Sequence, residues 1–262
     1  MNELETMLCN LLHCDRSGLY VKGERLFLTA TQEKRLHSIL KNRLKGRPLQ
    51  YLLGDADFMG LKLKVAPGVL VPRPETEILV EEAVARLSVV RKSLRILDMG
   101  TGSGNIAIGL AKFLKDATIM AVDISAAALK IAAKNASLNG VARKIAFVRG
   151  DLFGCLKAAD QFDVIVSNPP YVSEDEYARL PEDVLCEPRE ALVAADGGYD
   201  FYRRIEKGSR RHLASRGMLF LEIGDRQAKG VKKIFSDARA WKDVSFVKDL
   251  AARDRVAVIE RR

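Results

Sequence analysis

A polar side chain between an apolar run and two prolines is the first feature of this sequence that could do chemistry. Residues 162–171 read FDVIVSNPPY, so a stretch typical of a buried strand ends at Asn168, Pro169, Pro170 and Tyr171. Proline cannot donate to a sheet ladder and its φ angle is fixed, so the backbone after Asn168 should be stiff and its carbonyl groups unpaired. Some partner must use those carbonyl groups. The alternative is that the prolines only end a strand and that Asn168 is an ordinary turn residue.

Three more places where an apolar run ends carry residues suited to holding a nucleoside. The first is the turn DMGTGSG at residues 98–104, whose glycines allow the backbone to approach a ligand closely. About 20 residues later the next run ends at Asp123, whose carboxylate could accept both hydroxyl hydrogens of a ribose. The third run ends at Asp151 and Leu152, which offer an adenine ring one polar contact and an apolar wall. The alternative for the glycines is a plain strand-to-helix turn. Asp123 could also be a helix cap, a role that is compatible with binding a ribose.

These residues must be positioned by the elements that precede them. From residue 94 onward, apolar runs typical of strands alternate with segments of helical periodicity, as in LRILDMG, NIAIGLAKFL and TIMAVDI. Such strands are buried on both faces, which indicates a mostly parallel sheet with helices on both sides. The carboxyl ends of parallel strands share one edge, where these folds bind their ligands, so the four candidate segments should meet there. The predicted class is α/β, with a Rossmann-like sheet.

A small helical domain is predicted before the sheet. Residues 2–13 and 29–45 have helical spacing, and the second segment begins with a capping pattern at Thr29. The segment FMGLKLKVAPGVLV at residues 58–71 alternates like a short hairpin, and PRPETEILVEEAVARL suits a helix that begins near Pro74. The predicted domains are residues 1–57 for a helical domain that recognises a substrate, 58–73 for a hairpin linker and 74–262 for the main α/β domain.

The composition of the whole chain limits the class of protein. Its 262 residues are 48% hydrophobic and 29% charged, which is ordinary for a globular chain. No apolar stretch approaches the roughly 20 residues that cross a bilayer, and the first residues carry acids where a signal peptide carries bases. We therefore expect a cytoplasmic protein without a membrane partner. The four cysteines form no CxxC pair, and the cluster of Cys9, His13 and Cys14 lacks a fourth ligand, so no metal site is predicted.

The net charge of +9 raises the question of a nucleic-acid partner. An excess of basic residues attracts polyanions to the protein surface, but it does not identify a reaction. The basic clusters at residues 210–216 and 226–233 lie on helical patterns without interleaved aromatic residues on which bases could stack. We interpret them as solvated surface, so no stable nucleic-acid partner is required, while a ribosome-associated or RNA-binding partner stays open.

The glycine-rich turn, Asp98, Asp123, Asp151 and the NPPY segment together resemble the S-adenosylmethionine-dependent methyltransferases that modify a nitrogen conjugated to a π system. Further segments narrow the resemblance. In order along residues 45–256 they are GRPLQYLLGDADFMG, LVPRPETE, DMGTGSGNIA, VSNPPYV, EPREALVAADGGYDFYRRI, LFLEIGDRQ and VKDLAARDRV. These segments are similar to the bacterial peptide chain release factor glutamine methyltransferases, the HemK/PrmC family.

The resemblance implies methyl transfer from S-adenosylmethionine to the side-chain amide nitrogen, N5, of the glutamine in the Gly-Gly-Gln loop of release factors, leaving S-adenosylhomocysteine. It also implies a class I methyltransferase sheet and release factors as partners, and we expect a monomer. The implied cofactor-binding residues are Asp98, Gly100, Thr101, Gly102, Ser103, Gly104, Asp123, Asp151, Leu152 and Asn168. The implied catalytic residues are Asn168 and Pro169. The glutamine would be held by Asn168, Pro169, Pro170 and Tyr171, with Tyr171 stacked on the planar amide.

The resemblance gives the NPPY segment a chemical role. An amide nitrogen is a poor nucleophile because its lone pair is delocalised. If the side-chain oxygen of Asn168 and the carbonyl oxygen of Pro169 accept its hydrogens, the lone pair can localise and point at the methyl carbon. The proton can leave to water afterwards, so neither a metal nor a dedicated general base is required.

The segment LVPRPETE is a candidate wall of the site. Leu70 and Arg73 would form the wall itself. Thr76 and Glu77 would hold that wall in place. A helix start explains the prolines and acids of this segment equally well.

Two later segments lie outside the strand ends. By resemblance, Glu187 and Pro188 lie over the acceptor side of the site, and a plain surface loop is the alternative. Arg253 and Asp254 are expected to pair within the last hairpin rather than to contact a substrate.

Three other functions compete with the release factor assignment. An amino methyltransferase acting on nucleic acid would share NPPY, but it should carry an added target-recognition domain, and none is visible. A glutamine methyltransferase acting on a ribosomal protein is closer and harder to separate. A non-enzymatic S-adenosylmethionine sensor would have no reason to keep the Asn-Pro-Pro acceptors.

Overall fold

A computed structural model describes residues 2–23, 27–90 and 93–262, and within them the chain opens with short helices. These are α1 (Glu3–Leu12), α2 (Arg16–Lys22), α3 (Ala30–Arg43) and α4 (Leu49–Leu53). The capping pattern predicted at Thr29 is confirmed, because its side chain and that of Gln32 each bond the backbone N–H of the other. The helices pack around a small core of their own, formed by Met7, Leu11, Ile39, Leu49 and Leu53.

A two-stranded hairpin follows, but it lies earlier than the predicted residues 58–71. Its strands are β1 (Asp55–Phe58) and β2 (Leu61–Lys64). Met59 and Gly60 both have positive φ angles, of 50° and 74°, and form the two-residue turn whose twist suits a hairpin. Residues 65–71 belong to no strand, although Val65, Val69 and Val71 are buried. The prediction placed the hairpin wrongly because alternation alone does not reveal which residues turn. The division into domains at residues 57 and 73 stays a prediction.

The elements after the hairpin are α5 (Pro74–Leu87), β3 (Leu94–Met99), α6 (Asn105–Phe113), β4 (Ala117–Asp123), α7 (Ala126–Leu138), β5 (Ile145–Arg149), β6 (Phe162–Ser167), α8 (Glu174–Tyr177), α9 (Glu182–Leu185), α10 (Ala195–Gly198), α11 (Asp200–His212), β7 (Leu213–Glu222), α12 (Ala228–Ile234), β8 (Trp241–Lys248) and β9 (Asp254–Arg261). In the described part of the chain, seven strands form the main sheet, in the order β5-β4-β3-β6-β7-β9-β8. Five neighbouring strands are parallel, and β9 pairs antiparallel with both β7 and β8. The predicted mostly parallel α/β sheet is confirmed.

Each face of the sheet buries a separate hydrophobic core. Side chains alternate along the strands, so that in β3 Ile96 packs with α5, α6 and α7, whereas Leu97 packs with α11 and α12. The helix predicted near Pro74 begins at that residue, where the missing N–H of proline costs no hydrogen bond. Helices therefore cover both faces, as the apolar strands predicted.

The strand order reverses between β3 and β6. The chain runs outward from β3 to β4 and β5, and then crosses back to place β6 on the other side of β3. A crevice opens at such a switch point, beyond the carboxyl ends of the two strands. Here the crevice lies between the glycine-rich turn, which follows Met99, and the NPPY segment, which follows Ser167. Met99 and Ser167 are partners in the β3–β6 register.

The basic cluster at residues 210–216 is only partly helical, which corrects the sequence prediction. Helix α11 ends at His212 because Leu213 is fully buried and pairs with Phe162 as the start of β7. Arg253 and Asp254 lie at the hairpin between β8 and β9, where Asp254 pairs with Lys248 at 3.0 Å. No helix within residues 2–23, 27–90 and 93–262 is long and apolar enough to cross a membrane.

Candidate active site

A cavity of about 250 Å³ opens at the switch point, and we call it the main cavity. Its lining residues include seven that the sequence predicted, which are Gly100, Gly102, Asp123, Asp151, Leu152, Asn168 and Pro170. They come from the ends of β3, β4, β5 and β6, so four separate segments of the chain meet there. A more open groove of about 750 Å³ lies between α11 and α12, and none of the predicted site residues lines it.

A smaller inner cavity adjoins the main one and shares Leu70, Gly100, Gly102 and Asn168 with it. Its other lining residues include Thr101 and Ser103 of the glycine-rich turn, and Arg73 and Thr76 of the LVPRPETE segment. Of the predicted site residues, Asp98, Gly104, Pro169 and Tyr171 line neither cavity. Gly104 is required for packing instead, because a Cβ there would lie 3.0 Å from the side chain of Ala132, and its φ angle is +84°.

Asp123 faces the main cavity and is not the cap of the next helix. Its Oδ2 accepts the N–H of Gly102 at 2.8 Å, and its Oδ1 accepts the N–H of Ser125 at 2.8 Å. Ser125 itself caps α7, so the helix-cap interpretation of Asp123 is wrong. A carboxylate has about four acceptor sites, and the two backbone donors leave room for the hydroxyl groups of a ligand.

Asp98 lies fully buried beneath the glycine-rich turn. The hydroxyl of Thr101 donates to its Oδ2 at 2.6 Å, while Oδ1 is buried without a hydrogen-bond partner among the described residues. Burial raises the pKa of Asp98 to about 7, against the opposing effect of the Thr101 hydrogen bond. An unpaired buried acceptor beside the inner cavity is a group that a ligand donor could satisfy.

This buried carboxyl predicts a pH dependence of stability. The pKa of Asp98 is about 7 in the folded chain, against an ordinary value of 3.8. Between these two pH values the folded chain keeps a proton that the unfolded chain loses, so the free energy of unfolding falls as the pH rises toward the folded pKa. Between about pH 5.5 and about pH 8 we expect the wild type to lose about 2 kcal/mol more than Asp98→Asn does, measured by urea unfolding. Every other titrating group is common to both proteins. Equal pH slopes for the two would contradict the assignment.

Asn168 is oriented by a neighbour that comes from a distant part of the chain. Its Nδ2 donates to the Oγ1 of Thr76 at 3.1 Å, and Thr76 is 1% exposed. Because the amide nitrogen is engaged with Thr76, the amide oxygen is left to accept from a group in the cavities that Asn168 lines. Thr76 therefore holds a site residue rather than serving only as part of a helix start. Glu77 has a different role, since it accepts the N–H of Met59 in the hairpin turn at 2.7 Å.

Tyr171 lies beneath the site and not across the cavity. Its hydroxyl donates to the Oε1 of Glu222 at 3.3 Å, and its ring packs near Gly224. The side chain of Gln227 donates to the carbonyl oxygen of Tyr171 at 3.0 Å. In this arrangement Tyr171 anchors the backbone after the two prolines. Its position does not indicate the predicted stacking of its ring on a planar amide.

Glu187 is buried, so the loop after the NPPY segment is more than a plain surface loop. Its side chain accepts the N–H of Val71 at 2.9 Å and pairs with the guanidinium of Arg73. Burial raises the pKa of Glu187, and the positive charge of Arg73 opposes that rise. The neighbouring Pro188 lines the main cavity, as does Leu70 on the other segment. One ion pair, buried on the Glu187 side, thus joins the two segments that flank the cavities.

Several residues of the main cavity were missed by the sequence prediction, and three of them have large side chains. Ile124 is 59% exposed and follows Asp123 directly, and Phe201 and Arg204 come from α11. The guanidinium of Arg204 stacks over the Phe201 ring and bonds Asp151 at 2.6 Å. An isoleucine directly after the strand end at Asp123 is a signal that sequence reasoning could have used. Phe201 and Arg204 gave no such signal, because Arg204 is 53 residues away from Asp151 in the chain.

Two family models match the chain. Residues 74–199 match the methyltransferase small domain, and residues 1–54 match the PrmC N-terminal domain. The solved methyltransferase of Pyrococcus furiosus shares the fold with a TM-score of 0.57 and 20% identity, over 89% of this chain and 98% of that one. This likeness concerns the fold alone.

Curated relatives match over nearly the whole chain. The release factor glutamine methyltransferase of Thermodesulfovibrio yellowstonii is 38% identical, over 100% of this chain and 92% of its own. The protein of the same name from Lactococcus lactis is 39% identical, over 98% of this chain and 93% of its own. The family suggested by the sequence segments is thereby confirmed. The chain belongs to the release factor glutamine methyltransferases.

Proposed function

We propose that this protein transfers a methyl group from S-adenosylmethionine to the N5 amide nitrogen of the glutamine in the Gly-Gly-Gln motif of peptide chain release factors. The observation that carries the proposal is the position of Asn168. Its side chain stands at the switch point, lines both cavities and has its amide nitrogen engaged with Thr76. An acceptor oxygen held there suits an amide hydrogen of the incoming glutamine.

The residues of the main cavity fit the nucleoside part of this cofactor. Asp123 offers acceptor sites for the ribose hydroxyl groups, while Leu152 and Ile124 offer apolar contacts for the adenine ring. The unpaired Oδ1 of Asp98 suits the amino group of the methionine part. When bound, the cofactor supplies a methyl group on a positively charged sulfur.

The chain's own residues prepare the acceptor. We propose that the side-chain oxygen of Asn168 and the carbonyl oxygen of Pro169 accept the two hydrogens of the glutamine amide, which localises its lone pair. Their geometry is fixed in advance by the prolines and by Thr76, so little reorganisation is needed as positive charge develops on nitrogen. The same oxygens stabilise that charge, and the proton then passes to water.

Asp123 gives a test of the cofactor site. Asp123→Ala removes a charged acceptor and should weaken S-adenosylmethionine binding by about 1.5 to 3 kcal/mol, measured by titration calorimetry. A matched control is Asp116→Ala, because Asp116 is exposed and stands at the opposite end of the same strand. We expect the control to bind like the wild type, and unchanged affinity in Asp123→Ala would remove this residue from the site.

We further propose that the helical region before the hairpin provides a second grip on the release factor. It has its own core, and Arg43 on α3 bonds Asp183 on α9 at 3.3 Å, close to the segment that carries Glu187. A second contact of this kind raises affinity for the folded substrate over a free peptide without altering the chemistry. Since release factors act in translation, the proposed place of action is the cytoplasm, and we expect the enzyme to act as a monomer.

The substrate class is tested by labelled methyl transfer in parallel. Purified release factor, ribosomal protein and nucleic acid are each incubated with the enzyme and methyl-labelled S-adenosylmethionine. Label is expected on the release factor. Label on a ribosomal protein or on nucleic acid, with none on the release factor, would overturn the proposal.

A further inference from the structure

A buried chain of hydrogen bonds connects Asn168 to a carboxylate that the proposed chemistry does not use. The Nδ2 of Asn168 donates to Thr76 Oγ1 at 3.1 Å, and that hydroxyl donates to the Oε2 of Glu222 at 2.6 Å. Tyr171 donates to the other oxygen of Glu222 at 3.3 Å. Glu222 is 1% exposed and ends β7, the strand beside β6. The carboxylate thus contacts residues from two of the segments around the site.

The direction of the protons in this chain is constrained. An ionised carboxylate can only accept, so the single hydroxyl proton of Thr76 is committed to Glu222. The oxygen of Thr76 is then left to accept, and Asn168 must turn its NH₂ group toward it. If Thr76 donated to Asn168 instead, the amide would turn over and present NH₂ to the cavities.

Hydrogen bonds and a nearby positive charge oppose the effect of burial on Glu222. Two hydroxyl groups donate to it, and the positive charge of Arg255 on β9 acts on it, while Glu75 on α5 opposes. Burial raises the pKa of Glu222 to about 7, so the carboxyl is still largely ionised above neutral pH.

We propose that Thr76 and Glu222 are positioning residues that set which end of the Asn168 amide faces the acceptor. The proposal rests on the proposed function, because it assigns the reason that the oxygen of Asn168, and not its nitrogen, is presented to the glutamine. A wrongly turned Asn168 would place its own NH₂ against the NH₂ of the substrate. No hydrogen bond could then form between the two groups.

The test compares Thr76→Val with Thr76→Ser. Serine keeps the hydroxyl, whereas valine has a similar shape and puts a methyl group where Asn168 needs an acceptor. The NH₂ of Asn168 is then left without an acceptor, so kcat for release factor methylation should fall roughly 10-fold to 100-fold in Thr76→Val. Thr76→Ser should stay within a few-fold of the wild type. The Kd for S-adenosylmethionine and the KM for the release factor should change little in either variant.

A second readout does not depend on turnover. In protein labelled with ¹⁵N-asparagine, the side-chain NH₂ resonances of Asn168 are assigned by their loss in Asn168→Ala. They should keep their positions in Thr76→Ser and move in Thr76→Val. Unmoved resonances together with a kcat within about twofold of Thr76→Ser would overturn the proposal.

If Thr76→Val does not fold, Glu222→Gln decides the question. A glutamine amide can donate as well as accept, so it no longer commits the Thr76 proton, and kcat should fall by about threefold or more. A kcat equal to that of the wild type would overturn the proposal. Failure of the proposed function is distinct, because the wild type itself would then leave the release factor unmethylated.

Discussion

Replacing Asn168 by alanine is expected to abolish most methyl transfer while leaving cofactor binding within a few-fold of the wild type. The side chain presents an acceptor at the switch point and is held there by Thr76. Removing an acceptor that acts on developing charge typically costs a hundredfold or more in kcat. We expect at least about that loss in single-turnover transfer to the release factor, with S-adenosylmethionine affinity measured by calorimetry.

Asn42→Ala is the matched control for this change. It removes the same amide from α3, where the side chain bonds the carbonyl of Ser38 in its own helix. The control should transfer methyl groups with the kcat of the wild type. Near-normal turnover in Asn168→Ala would refute the role of this side chain in catalysis.

The largest expected loss of stability follows from replacing Glu187 by alanine. The side chain is 1% exposed, and its removal leaves the N–H of Val71 without its acceptor and the guanidinium of Arg73 without its partner. Removing one partner of a fully buried ion pair lowers the free energy of unfolding by about 3 to 5 kcal/mol. Because the side chain of Arg73 is 33% exposed, we expect a smaller loss, of about 2 to 3 kcal/mol in the free energy of unfolding.

Glu174→Ala provides the comparison within the same region of the chain. Glu174 pairs with Arg189, and both side chains are more than half exposed, at 62% and 54%. Exposed pairs contribute little, so this variant should lose much less free energy of unfolding than Glu187→Ala does, measured by urea unfolding. Equal losses in the two variants would contradict the view that Glu187 is a buried tie between the segments flanking the cavities.

The sequence was sufficient to predict the features that depend on local pattern. Alternating apolar segments predicted the parallel sheet, and the residues at strand ends, such as Asp123 and Asn168, were found at its carboxyl edge because parallel strands end there together. The start of α5 at Pro74 was also local, since proline is suited to a first helical turn.

The features that the sequence did not predict depend on contacts between distant segments. Thr76 and Asn168 are 92 residues apart, and Thr76 and Glu222 are 146 apart, so no local pattern joins them. Tyr171 was expected to face the acceptor, but a buried partner at Glu222 draws its hydroxyl beneath the site. Buried polar groups take the partners that the fold supplies, which become visible only when the sheet is assembled.

The central claim, that the acceptor is the glutamine of the Gly-Gly-Gln motif, is tested most directly by peptide mass spectrometry. Release factor is incubated with S-adenosylmethionine and either the wild type or Asn168→Ala, digested, and fragmented across the motif. The account predicts a single methyl group on the side chain of that glutamine with the wild type and almost none with the variant. An unmodified motif, or a methyl group on another residue of the release factor, would contradict it.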